Sequence, residues 1–398
     1  MPITVYDPDR VKIKQLQDGI CPIVEPEMED ILFKHDIKFE ALDTYTWLRD
    51  IDTLIIAVGT PTVQGGIKAD TSVLDEILKA VHSINPDINI VIKSTIPIRY
   101  CDDKVDELGL KIYHIPEFLR QGYAIQDMQR QRHIIVGKPS NATKDNATAL
   151  AYYLFKSDKI SVVSNATAAM AKLARNTFLA LHIAYANELN ILCKGAGVPY
   201  KDLKYLMGFD PRIHTSYMTP GPGYGGSCLP KDTRSLSYQS GELFPSWLVA
   251  DADIKGGELL HGLVESNLRT TGIAYEWLKQ QILESNAKVV TICGLTFKDE
   301  TDDLRESRYL DIALALAKDP DLSSIEIRLT DTHDATAKYF KGKEDQFNFY
   351  SSYFEAIKGA ELLVINHAGY TTELPEDVKV IDFTGYIDRE DVQSWIAK

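Results

Sequence analysis

Two stretches of the chain alternate short, uninterrupted apolar runs with helical segments, and nothing else in the sequence restricts the fold as much. Residues 51–58, 89–93, 111–115 and 133–136 make the first set. Residues 288–293, 325–330, 362–366 and 378–383 make the second. Apolar side chains at consecutive positions are what strands covered on both faces of a parallel sheet require. Residues 71–83 supply an amphipathic crossover helix between two runs of the first set. The pattern predicts an α/β protein with two Rossmann-like domains, each on a mostly parallel sheet.

Between the two sets, residues 166–194 contain neither Gly nor Pro, and Gly195 and Gly197 follow. Met170, Leu173, Phe178, Leu181, Tyr185 and Leu189 recur at helical spacing and predict a buried stripe. Such a helix is about 40 Å long, enough to join two domains or to form a dimer spine. Residues 211–230 form a Gly/Pro-dense loop, and a second helical region follows to about residue 285. The expected domains are 1–163, 164–285 and 286–398.

Composition narrows the class. The 398 residues carry a formal net charge of −14, which argues against a nucleic-acid or anionic-membrane partner. Cys21, Cys101, Cys193, Cys228 and Cys293 are scattered, odd in number and form no CxxC pair, so neither a zinc site nor a disulfide framework is expected. With no long apolar span and no signal-peptide pattern, a cytoplasmic protein is expected, and the sequons at Asn141, Asn146 and Asn165 read as chance.

The opening of the chain departs from a complete doubly wound domain. Ile3-Thr4-Val5-Tyr6 is an apolar strand ending in Asp7, which is how the second strand of a dinucleotide-binding βαβ unit looks. The N-terminal domain is therefore expected to be incomplete, its first strand and GxGxxG turn absent, leaving an internal gap. The competing reading makes residues 3–6 the first strand of another sheet.

The segment with the most chemical content is GPGYGGSCLPKD at 221–232. Its glycines suit a loop wrapped on phosphate. Cys228 with Lys231 and Asp232 one turn on suits a covalent nucleophile, the bland alternative being a structural cysteine. Lys172 and Asn176 stand i, i+4 on the long helix and either stabilise an oxyanion or belong to a solvated face. Thr60 and Thr62, Thr95 in KSTIP, and Glu117 in PEFLRQ all follow strands, where open α/β sheets hold their ligands. Lys298 and Arg305 suit phosphate, unless Asp299, Glu300, Asp302 and Asp303 make them ordinary surface charge.

Taken together, TPT at 60–62, KSTIP at 93–97, PEFLR at 116–120, AKLARNTFLA at 171–180, DPRI at 210–213, PGYGGSCLPKD at 222–232 and FKDETDDLRES at 297–307 resemble the UDP-glucose/GDP-mannose dehydrogenase family over essentially the whole chain. The resemblance implies oxidation of a nucleotide-sugar C6 alcohol to a carboxylate with two NAD in succession. It implies a Cys228 thiohemiacetal and thioester, Lys172 on the oxyanion, and a water held by Asp232, Asn176 and Thr95. Glu117 would assist hydrolysis. Phe118, Leu119, Tyr217, Gly223, Tyr224, Gly225 and Lys298 would hold the nucleotide-sugar, with Arg212 reaching into the neighbouring subunit of a homodimer built on the 166–194 helix. Asp7, Arg10, Thr60, Thr62, Thr95, Gln121 and Arg305 would serve NAD.

DPRI looks more like the UDP-glucose enzymes of the family, while SCLPKD followed by Arg234-Ser235-Leu236 is also similar to its GDP-mannose enzymes; the former leads. Gln121 stands where the family usually has a second glutamate. Because the pyrophosphate loop is expected to be missing, a catalytically impaired nucleotide-sugar-binding protein is a second reading. A cofactor-free thiol enzyme is a third.

Overall fold

The structure, a computed structural model, describes residues 2–63, 67–130, 133–157, 159–243, 257–372, 374–389 and 391–398. The chain divides into two compact units, Met1–Arg175 and Asn176–Lys398. The division falls inside the long helix, so the central helices and the C-terminal sheet share one unit.

In the first unit the order is β1 (Ile3–Asp7), α1 (Arg10–Gln17), α2 (Met28–Leu32), β2 (Ile37–Ala41), β3 (Thr53–Ile56), α3 (Ser72–Ile84) and β4 (Asn89–Ile92). Then come α4 (Tyr100–Leu108), β5 (Lys111–His114), α5 (Ala124–Gln129), β6 (Ile134–Lys138), α6 (Lys144–Phe155), β7 (Ile160–Ser164) and the start of α7 (Asn165–Ala196). Strands β3 to β7 form one sheet in sequence order, parallel throughout except for the antiparallel pairing of His114 with Gly137. Helix α3 forms because Leu74, Ile77, Leu78 and Val81 fall on one face, and they pack with Ile90, Ile92 and Ile112 of the sheet. β1 pairs in parallel with β2 in a sheet of its own, Ile3 opposite Ile37, and no described strand joins that pair to β3.

The second unit continues α7 and adds α8 (Tyr200–Met207), α9 (Leu229–Leu243), α10 (Glu258–Ser285), β8 (Val289–Cys293), α11 (Arg308–Ala317), β9 (Glu326–Thr330), α12 (Asp334–Phe340), β10 (Asn348–Tyr350), α13 (Tyr353–Ile357), β11 (Leu362–Ile365), β12 (Lys379–Asp382) and β13 (Gln393–Ser394). Its sheet is parallel, in the order β10-β9-β8-β11-β12-β13. That is the doubly wound order, which reverses between β8 and β11, and such sheets hold their ligands beyond the C-terminal strand ends at that point. The end of the chain is fastened to α7: the Asn190 amide donates to the Trp395 carbonyl and accepts from the Ala397 N–H, while Lys194 donates to the Ser394 carbonyl.

Each predicted apolar run contains or overlaps a strand, and α7 extends slightly past its predicted ends. The predicted buried stripe of α7 is corrected. Leu173 is buried, and Leu181 and Leu189 are partly covered, but Met170, Phe178 and Tyr185 are exposed. Ala168, Ala169, Ala180, Ala184 and Ala186 are buried instead. Small residues line the packed side because neighbouring elements approach closely there, and the larger apolar residues turn outward. Among the described residues no helix is long and apolar enough to cross a membrane.

Candidate active site

Cys228 lies immediately before α9 and accepts that helix's first backbone hydrogen bond, from the Asp232 N–H to its carbonyl at 2.9 Å. Its side chain is exposed, with Sγ 3.6 Å from the Ser227 hydroxyl. The nucleophile candidate is thus presented at the N-terminal end of a helix, where backbone N–H groups favour negative charge. Structural burial of this cysteine is excluded. One turn on, the Asp232 carboxylate is wholly buried: Oδ1 pairs with Lys231 Nζ at 2.6 Å, and Oδ2 accepts from Asn176 Nδ2 at 2.6 Å. Asn176 and Lys172 are both buried, so the solvated-face reading of that pair is overturned.

The glycine-rich loop is held in place by side chains the sequence reading missed. Asn187 Oδ1 accepts the Gly221 N–H, and Trp395 Nε1 donates to the Gly221 carbonyl. Asn267 accepts the Tyr224 N–H at 2.7 Å and returns a bond to the Tyr224 carbonyl at 3.0 Å, while the Thr271 hydroxyl donates to the Pro222 carbonyl. Asn187 lies mid-helix on α7, and Asn267 and Thr271 stand i, i+4 on α10. Polar residues inside otherwise apolar helix stripes were the sign that these helices bind backbone. The Gly221 and Tyr224 N–H groups are therefore taken up by side chains of the helices. The Tyr224 ring is also buried, among Ala180, Ala184 and Leu263, and anchors the loop.

Two glycines are demanded by packing. A Cβ on Gly225 would stand 2.5 Å from the Glu306 carbonyl oxygen, and one on Gly226, at φ +82°, would meet the Phe297 ring at 2.8 Å. The Cys228 loop thus lies flat on the 297–306 segment, which Arg234 also clamps through an ion pair with Glu306. Gly225→Ala is expected to cost about 2 kcal/mol, because backbone must give way. Gly221→Ala is the control, since its Cβ would make only an ordinary contact with the Tyr309 hydroxyl. Urea denaturation of the two variants reads the difference directly.

Arg305 does not hang free among acids: its guanidinium forks onto Asp303 at 2.8 and 2.7 Å. That carboxylate holds the Arg305 pKa up. Lys298 Nζ lies over the Phe297 ring. Tyr217 ends a short 3-10 turn and is exposed, as is Arg212, whose guanidinium lies on Asp210 at 2.6 Å.

In the first unit the strand ends are cross-tied. The Thr60 hydroxyl donates to the Thr95 carbonyl at 2.7 Å, and the Ser94 hydroxyl donates to the Val58 carbonyl at 2.6 Å. Thr60 is buried and uses its proton to brace this loop, its oxygen keeping acceptor capacity. Thr62 forms an isolated bridge with Ala69. Asp7 ends β1, its Oδ1 accepting the Asp9 N–H, and Arg10 pairs with Asp43 in the open. Asp7 thus stands at the C-terminal end of a parallel strand, where open α/β sheets hold their ligands.

Glu117 is turned back on its own loop: Oε1 accepts the Phe118 and Leu119 N–H groups at 2.6 and 2.8 Å, and Oε2 pairs with Lys93 at 3.1 Å. Lys172 and Arg175 both lie over the Phe118 ring, at 5.4 and 4.8 Å. Gln121 is part-buried, and the Gly122 and Ala124 N–H groups beside it donate to Glu25.

His114, at the end of β5, is wholly buried, and burial together with the Lys93 and Lys172 charges pushes its pKa down to about 4. The unfolded histidine titrates near 6.5, so between those values only the unfolded chain binds the proton. Stability is therefore full above pH 6.5 and falls by about 3 kcal/mol as the pH drops to 4. His114→Gln should flatten that part of the stability–pH curve.

A doubly wound sheet with an exposed cysteine on a glycine-rich loop suits a nucleotide-binding thiol enzyme. Comparison with known proteins narrows it. The NAD-binding-domain model of the UDP-glucose/GDP-mannose dehydrogenase family matches residues 1–156, its central-domain model 166–252, and its UDP-binding-domain model 291–382. The UDP-glucose 6-dehydrogenase of Rickettsia typhi is 32% identical over 326 residues, covering 79% of this chain and 72% of that protein. The GDP-mannose 6-dehydrogenase of Pseudomonas syringae is 29% identical over 410 residues, covering 96% and 90%. The solved structure of a UDP-glucose dehydrogenase from Pyrobaculum islandicum superposes with a TM-score of 0.83 at 24% identity, over 98% of this chain and 90% of that one.

The chain belongs to the UDP-glucose/GDP-mannose dehydrogenase family. It is an NAD-dependent dehydrogenase with a UDP-binding domain. The NAD-binding-domain match begins at residue 1, so the expectation of a missing first unit finds no support in it.

Proposed function

We propose that the chain oxidises the C6 alcohol of UDP-glucose to the carboxylate, with release of UDP-glucuronate. The observation that carries this reading is Cys228, exposed before α9, with the buried Asp232 carboxylate one turn away, held between Lys231 and Asn176. The curated relative of Rickettsia typhi bears the matching activity in its name. When bound, NAD takes up one hydride in each of two oxidations.

Cys228 Sγ adds to the C6 aldehyde and so retains it. After the second oxidation the sugar is held as a thioester, and water then cleaves the carbon–sulfur bond, returning the proton to sulfur. Asp232, with Asn176 and Thr95, orders that water. Lys172 balances negative charge on the C6 oxygen. Glu117 assists hydrolysis from a carboxylate already fixed by Lys93 and its own loop. Phe118, Leu119, Tyr217, Gly223, Gly225 and Lys298 hold the nucleotide-sugar, and Asp7, Arg10, Thr62, Gln121 and Arg305 serve NAD.

A homodimer through α7 belongs to the same proposal. Phe178, Tyr185 and Leu192 are exposed at seven-residue spacing, with Met170 eight residues earlier, a continuous apolar stripe on one face. Arg212 of one protomer then serves the other's substrate. Purified chain, UDP-glucose and NAD are mixed and NADH counted: two per sugar supports the reading. Turnover of GDP-mannose alone replaces the substrate, and bound sugar without NADH replaces the enzyme with a binding protein.

A further inference from the structure

Among the described residues, His114 is the one fully buried histidine of the first unit with a ring nitrogen left over. Its Nδ1 lies 3.0 Å from the Ile92 carbonyl and can only donate there, which leaves Nε2 as a bare lone pair. Nε2 is buried and has no hydrogen-bond partner. The two ring nitrogens diverge, so Nε2 faces away from β4. The His114 backbone N–H donates to Asn165 Oδ1 at 3.0 Å, and the Asn165 amide donates to the Ile112 carbonyl, so the first residue of α7 is stitched to the end of β5. Lys172 is seven residues on, two turns along the same face. Its ammonium and that of Lys93 bear on the imidazole, and both charges favour the neutral ring.

Resting on the function proposed above, we propose that His114 is a positioning residue for Lys172: through one bound water, its Nε2 lone pair accepts from the Lys172 ammonium and holds it over the Phe118 ring. A buried acceptor left unmet is costly, so a donor belongs there. Lys93 pairs with Glu117, and Arg175 lies over the Phe118 ring. Lys172 is the cation whose place on α7 is tied to His114 itself. The neutral imidazole adds no charge of its own, so the ammonium keeps its full effect on the sugar oxygen.

The test has a spectroscopic arm and a kinetic one. Nitrogen-15 histidine NMR of the whole chain should show His114 as the Nδ1–H tautomer, with its Nε2 resonance displaced in Lys172→Met and unmoved in Lys204→Met. An Nε2–H tautomer, or a resonance indifferent to Lys172, overturns the proposal. In the kinetic arm, His114→Leu should lower kcat about tenfold with KM for UDP-glucose little changed, and move the alkaline limb of the pH profile down by about one unit. His114→Gln keeps an acceptor near Nε2 and should restore the limb. Equal kcat and profile in all three proteins also overturn it. A chain that makes no NADH, yet shows the Lys172-dependent Nε2 signal, keeps the positioning contact and removes only the dehydrogenase reading.

Discussion

Cys228→Ala is expected to lower NADH formation from UDP-glucose by about 10³-fold or more while leaving UDP-glucose binding intact. The side chain is exposed and hydrogen-bonds with the Ser227 hydroxyl, so its removal opens no buried cavity. The backbone carbonyl that receives the Asp232 N–H is unaltered, and α9 keeps its start. Thermal unfolding should therefore stay within about 1 °C of the parent. A residual burst of one NADH per sugar would show the first oxidation running without the thiol. Two NADH per sugar at an undiminished rate would remove the thioester from the mechanism altogether.

The same loop shows what the sequence could and could not disclose. Cys228, Lys231 and Asp232 are neighbours in the chain, and their proximity needs no fold to arrange it. The glycines were readable as a special loop, but their reason was not. Gly225 and Gly226 are fixed by a carbonyl at Glu306 and a ring at Phe297, both far along the chain. Asn187, Asn267 and Thr271 are likewise invisible as a set until two helices meet the loop.

The sheets were legible because strands buried on both faces must be apolar at successive positions, as Val289–Cys293 and Leu362–Ile365 are. β2 (Ile37–Ala41) alternates and β13 is two residues long, so neither stands out as such a run. Helix α7 was found from its missing breakers, yet its buried side was misjudged. Hydrophobic spacing alone does not distinguish a stripe of alanines under close packing from larger residues turned outward. His114 carried no local sign at all, because its orphaned nitrogen is defined by Ile92 and Asn165, both distant in sequence.

Asp232→Asn is expected to destabilise the chain by about 3 kcal/mol and to slow hydrolysis by about 10²-fold. The carboxylate has zero exposure and takes one bond from Lys231 and one from Asn176. An amide in its place offers one acceptor and one donor to two donors, so a buried N–H faces another N–H and the Lys231 ammonium loses its counter-charge. The double variant Asp232→Asn, Asn176→Asp separates packing from chemistry. There the carboxylate, transferred to α7, accepts from the amide introduced at position 232. The carbonyl of that amide still accepts from Lys231, and each donor regains a partner. Urea denaturation should recover at least half of the lost stability. Turnover should stay low, because the carboxylate has moved to the helix and no longer faces the water it must order. Recovery of full kcat in the double variant would mean that Asp232 serves only to hold α7 against the start of α9.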